Sequence, residues 1–390
     1  MSLSSPFARC ALAMLLWLAA MALDLAQRAP VPAAGQAAVS ATPVAEPQSL
    51  RWQAAGKIPM PEGANAAHAS NLLALPQGQS AALLAFWFAG DYESAANVQI
   101  AAAQFDRSTQ RWSLAHYVVN RQAMAQSLGF GLRRLGNPVS WLDRSGRVHL
   151  FVVATGLGGW AAGRVLHLVQ SSASLDPEQL RFAPVRVLPL SWFWNISYLV
   201  RNPPMALSDG GMLLPAYFEL GSKFSIALRF DAQGEMAEMQ RMSARHHVLQ
   251  ATLLPLSPSR WLALMRDQRP DGHVTAALSA DAGQRWEDLP DLELSNPDSA
   301  LAGLRLGPQQ FVLAHNSSAH SRAWLDLSYS SDGLHWATLQ SLAHGVDGEE
   351  YSYPAVAWSD NALWVSFTDH RRGIAWQKFA AGSASGGSRP

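Results

Sequence analysis

Six times along the chain a short polar turn leads directly into an apolar strand: LPQGQSAALLAFWF (75–88), LDRSGRVHLFVVAT (142–155), LSDGGMLLPAYF (207–218), LSPSRWLALMR (256–266), LGPQQFVLAHN (306–316) and WSDNALWVSFTD (358–369). The units recur roughly every 50 to 70 residues, the spacing of repeats that each build four short strands. One such repeat cannot bury its own apolar face, so the repeats must stack on one another. The segments between them are short, rich in Val, Leu, Phe and Trp, and broken by Gly, Asp, Ser and Pro without a sustained helical period. The expected fold is all-β, a six-bladed β-propeller over residues 51–380.

The ends read differently. The run CALAMLLWLAAMAL (10–23) follows Arg9 and is expected to be a secretory signal, with an uncleaved membrane anchor as the alternative, over residues 1–27. Either way the body is exported, to the periplasm or outside the cell, with attachment to the inner membrane if the segment is retained. Residues 28–50 are poor in charge and rich in Ala and Pro, which reads as a flexible tether, and 381–390 as a disordered tail. Lys plus Arg and Asp plus Glu number 29 each, so no net field draws the chain to nucleic acid. The single cysteine, Cys10, excludes a disulfide framework and a Cys-based zinc site. The adjacent His246 and His247 would point to opposite faces of a strand, so no metal or cofactor is expected.

A second echo precedes most of the turns, where a polar residue opens the preceding strand, often with proline next. These residues are His68, Asn137, Asn202, Gln250, Asn296 and Tyr353. If the units are blades, these positions begin the innermost strands and ring the mouth of the central channel, the one funnel where a ligand can lodge.

SADAGQRW (279–286) fits Ser-x-Asp-x-Gly-x-x-Trp, SSDGLHW (330–336) is the same turn one residue shorter, and FDRSTQRW (105–112) is a degraded copy. With these boxes the chain resembles the sialidase (neuraminidase) superfamily of propellers, from about His68 to Phe379. QATLLPLSPSRWLALMRD (250–267) is similar to the segment in which an acidic residue opens one strand and a carboxylate-binding arginine closes the next; here those places hold Gln250 and Arg266. NSSAHSRAWLDLSYSSDGLHW (316–336) places a further arginine of the family's cluster at Arg322, and EEYSYPAV (349–356) offers Tyr351 or Tyr353 as the tyrosine nucleophile with Glu350 as its neighbour.

What the resemblance implies is an exo-acting glycoside hydrolase on an acidic, sialic-acid-like sugar. Arginine forks would hold the carboxylate, and a neutral tyrosine would avoid the repulsion that a carboxylate nucleophile meets beside that group. His68 stands where the family opens its first blade with an arginine, and Asp91 is the candidate acid on that blade's rim. Arg201, with Asn137, Asn202 and Gln250, would add substrate contacts. Two other readings stay open on the same scaffold: a uronate polysaccharide lyase using His68 or Tyr353 as base, and a non-catalytic glycan-binding propeller. In each case the partner is a carbohydrate bearing a carboxylate.

Overall fold

The computed structural model describes residues 6–27, 35–93, 95–270 and 272–382. It divides into two units, residues 1–34 and 35–390. In the first, helix α1 (Pro6–Gln27) contains an 18-residue stretch, Pro6–Leu23, long and apolar enough to cross a membrane, and none of that stretch is buried. A signal sequence and an anchor share these properties, so the helix is compatible with either.

The second unit is a six-bladed propeller of antiparallel sheets. The innermost strands are Ala66–Ala74, Arg134–Leu142, Tyr198–Val200 with Met205–Ala206, Val248–Pro255, Ala302–Gly307 and Tyr351–Ser359, in blades one to six. The ring is closed by the chain's two ends: Leu50–Lys57 pairs with Gly373–Ala381 as the outermost strand of blade six. Each apolar strand of the sequence repeat becomes the second strand of its blade. Ala81–Gly90 and Val148–Thr155 are buried along their whole length, as strands covered on both faces by neighbouring blades must be. Trp87, Trp261 and Trp364 lie in these second strands and are among the largest fully buried side chains. A short helix, α2 (Arg121–Leu128), joins blades one and two, capped by Asn120 and ended by Gly129 at φ 71°.

The boxes are turn fasteners. Ser279 Oγ accepts from Gly283 N at 2.8 Å, Asp281 Oδ1 accepts from Arg285 N at 2.9 Å, and Trp286 Nε1 donates to Gly283 O at 3.1 Å. Gly283 is required twice over: its φ is +84°, and a Cβ there would come within 2.5 Å of the Trp261 ring. The box at 330–336 repeats this with Ser330, Asp332 and Trp336. In the degraded copy Asp106 alone gathers the turn, accepting from the amides of Ser108 and Thr109.

Two expectations are corrected. Residues 35–49, expected to be part of a flexible tether, follow a fixed course along the propeller: Ala37 bridges to Leu207, Ala38 N donates to Ala206 O at 2.9 Å, and Val44 N donates to Leu306 O at 2.7 Å. These are main-chain bonds, which an Ala- and Pro-rich composition does not reveal. The ring of polar residues is also shifted in register. Four inner strands carry a bulge in which two residues face one on the second strand, at 69–70, 137–138, 250–251 and 353–354. The leading residue of each bulge is left-handed: Ala69 at φ 55°, Asn137 at 44°, Gln250 at 53° and Tyr353 at 52°. Blade one therefore places Ala69, not His68, at the repeated position. Blade five has Asp298 at φ 51° ahead of its inner strand, while Asn296 folds back to bond Ser299. In blade three Pro203 and Pro204 interrupt the ladder instead.

Candidate functional site

The bulges turn selected side chains out of the sheets towards the centre, and Tyr353 is the one around which the others gather. Its hydroxyl accepts a hydrogen bond from Arg266 Nη1 at 3.3 Å. The same Nη1 lies 3.0 Å from Gln250 Oε1, and Arg266 Nε donates to Asp298 Oδ1 at 2.6 Å. Gln250 Nε2 donates in turn to the hydroxyl of Tyr217 at 3.1 Å, which also accepts from Asn137 Nδ2 at 3.4 Å. Blades two to six thus meet in one network. One face of the Tyr353 ring is met by His68, with ring centres 4.2 Å apart, and the Arg201 guanidinium lies 5.3 Å from the ring centre.

A second charged group adjoins the first. Glu350 accepts from Ser352 Oγ at 2.6 Å, from Arg322 Nη1 at 3.2 Å, and from Arg371 through Nε at 2.7 Å and Nη2 at 3.3 Å. Arg322 also donates to the carbonyl of Asp298, and Arg371 pairs with Glu93. Asn316 fixes the backbone beneath by donating to the carbonyls of Tyr351 and Trp324 at 2.8 Å each and of Arg322 at 3.1 Å. Burial acts to raise the Glu350 carboxyl, but the hydrogen bonds from Arg371 and Ser352 and the two arginine charges outweigh it and hold the group at about 2. It is an anchored anion that orients arginines, and no hydrogen bond joins it to the Tyr353 hydroxyl.

The candidates sort by position. Tyr353, Arg266, Gln250, Asn137, Arg322 and Glu350 come together. His68 is brought against Tyr353 but is 2% exposed, with both ring nitrogens lacking a protein partner. Burial lowers it to about 3, with Glu350 opposing and Arg371, Arg201 and Arg322 reinforcing, so it is neutral and shut off from the funnel. Arg201 is equally buried; it donates to the carbonyls of Ser70 at 3.2 Å and Pro354 at 2.7 Å. Asn202 is an internal clamp, donating to the carbonyls of Gln250 and Ala251 at 3.0 Å each. Tyr351 packs on His370 and Phe367, away from the cluster, because the bulge at 353–354 breaks the alternation that would have put both tyrosines on one face. Asp91 is exposed in its turn; Glu93, two residues on, is the acid of that loop that reaches the cluster.

Other contributors lay outside the expected ring. Arg371 lies in the turn between the last two strands, in a segment, Asp-His-Arg-Arg, that reads as solvated. Tyr217 lies inside the apolar second strand of blade three, and Asp298 follows a proline that drew notice to Asn296. For Asp298 the signal was available in the repeat once the bulge is counted, because Asp298 and Tyr353 share the left-handed position. Among the described residues no three His, Cys, Asp or Glu side chains are placed to hold a metal ion.

Residues 81–365 match the family model described as a BNR repeat-like domain, well over half of the chain. The chain belongs to the BNR repeat-like family. Among solved structures, this BNR repeat-like protein is similar to the Hadza microbial sialidase Hz136, with a TM-score of 0.64 at 14% identity over 82% of this chain and 66% of that one. It is similar to the Trypanosoma rangeli sialidase, with a TM-score of 0.64 at 11% identity over 84% and 60%. A protein of unknown function from Dyadobacter fermentans gives a TM-score of 0.62 at 12% identity, covering 85% of this chain and 99% of the other. At such identities the likeness establishes the propeller, and this chain spans only about two thirds or less of the two sialidases' length. No curated protein matches in sequence.

Proposed function

We propose that this BNR repeat-like protein is an exo-acting glycoside hydrolase for an acidic, sialic-acid-like sugar. The observation that carries the reading is the convergence of Arg266, Arg322 and Arg371 on Tyr353 and its neighbours. Guanidinium forks suit a sugar carboxylate, and Arg266 Nη2 makes no hydrogen bond among the described residues, so it is available to one. Tyr353 Oη attacks the anomeric carbon as the bond to the leaving oxygen breaks, and its proton passes to water in the funnel. Arg266 at the oxygen and Arg201 at the ring stabilise the negative charge that develops there. One solved relative is described as a Trypanosoma rangeli sialidase in complex with sialic acid, which supports the choice of sugar class.

One observation favours a second reading, a glycan-binding propeller without turnover. Gln250 stands where a base for Tyr353 is expected; its amide is held between Arg266 and Tyr217, and it cannot accept the phenol proton. For a uronate lyase on the same scaffold the burial of His68 leaves Tyr353 as the base of the two considered. Incubation with 4-nitrophenyl sialoside decides between the first two: the hydrolase releases nitrophenol and Tyr353→Phe abolishes the release. Retention of the sugar without release supports the binding protein.

A further inference from the structure

Glu219 follows directly on the second strand of blade three, Met212–Phe218. It is two residues beyond Tyr217, so in an extended chain both side chains project from the same face. Tyr217 reaches Gln250 and Asn137 with its hydroxyl, and Glu219 continues that face outward to a partly exposed position. The charged groups that face it are Arg266 from blade four, Lys223 from its own hairpin and Asp298 from the lead-in to blade five, with the Tyr217 hydroxyl below. It therefore lies beside the Arg266, Asp298 and Tyr217 side of the cluster.

The carboxyls nearby are engaged. Glu93 pairs with Arg371, Glu350 with Arg322, Arg371 and Ser352, Asp298 with Arg266, and Asp369 with Lys57. Glu219 makes no side-chain hydrogen bond or ion pair among the described residues. We propose that Glu219 is the general acid of this site: its carboxyl proton goes to the leaving-group oxygen as that oxygen's bond to the anomeric carbon breaks. The carboxylate then recovers a proton from the water that attacks the anomeric carbon and frees Tyr353 Oη, so the carboxyl ends as it began. The assignment rests on the hydrolase reading and deepens it. The environment agrees: burial pushes the carboxyl above its ordinary range and Asp298 adds to this, against the opposing charges of Arg266 and Lys223.

Leaving-group dependence tests it. Glu219→Gln is to be compared with the wild type on sialyllactose, whose leaving alcohol needs a proton, and on 4-nitrophenyl sialoside, whose phenolate does not. The expected result is a loss of roughly 10²- to 10⁴-fold on the first and less than about tenfold on the second, with the alkaline limb of the pH profile displaced. Equal losses on both substrates, or none, overturn the assignment while leaving the hydrolase reading in place. A wild type that cleaves neither substrate overturns the hydrolase reading and the assignment with it.

Discussion

The guanidinium of Arg201 lies 5.3 Å from the centre of the Tyr353 ring, and its two terminal nitrogens reach across the channel to the carbonyls of Ser70 in blade one and Pro354 in blade six. No carboxylate pairs with it, and burial lowers it to about 10. A cation is thus held at the centre of the propeller by two main-chain oxygens and an aromatic face.

Removing it leaves those carbonyls without a donor. Arg201→Met should lower stability by roughly 2–4 kcal/mol in denaturant titration, the cost of two buried unmet acceptors less the relief of desolvating a charge. Arg201→Lys should recover less than half of the loss, because an ammonium cannot span both oxygens as a planar fork does. Full stability in Arg201→Met would show that the bridge is dispensable.

Glu350 makes stability depend on acid pH. Its carboxyl is held at about 2 in the folded chain against 4.5 ordinarily, so its contribution is present above pH 4.5 and is lost as pH falls towards 2. By linkage this amounts to roughly 3 kcal/mol. Thermal unfolding followed from pH 6 to 2 should show the decline, and Glu350→Gln should be less stable at pH 6 and flatter below pH 4.5. Parallel curves for the two proteins would contradict the arginine clamp.

His68 acts over a higher window. Its folded value of about 3 lies below the ordinary 6.5, so the neutral form is the stable one and the fold weakens as pH falls from 6.5 towards 3. His68→Phe keeps a ring against Tyr353 and has nothing to protonate. Relative to the wild type it should gain stability between pH 6 and 4, and turnover should change by no more than a few-fold. A loss of turnover on the scale of general base removal, about 100-fold, would restore His68 to the chemistry.

The architecture was legible because each blade announces itself locally. A turn before a buried strand, and a box whose Ser, Asp, Gly and Trp fasten one another, are short-range devices that survive in the sequence. The site was legible only in part, for reasons of register and burial. A bulge in blade one moves Ala69 into the place expected for His68, and another in blade six separates Tyr351 from Tyr353. Nothing in the sequence around His68 or Arg201 shows that both will be closed off beneath a tyrosine. Arg371 lies in a turn and Glu219 just past a strand, in stretches that look solvated, and only the closed ring brings them beside Glu93 and Glu350, and Arg266 and Asp298, respectively.

The central claim is that this funnel recognises a carboxylate. Calorimetric titration with the dehydrated sialic acid analogue, the unsaturated 2,3-dehydro sugar acid, against its methyl ester isolates that group. The account predicts that the free acid binds, that the ester binds at least about tenfold more weakly, and that Arg266→Ala and Arg322→Ala each remove the difference. Equal binding of acid and ester by the wild type would contradict it.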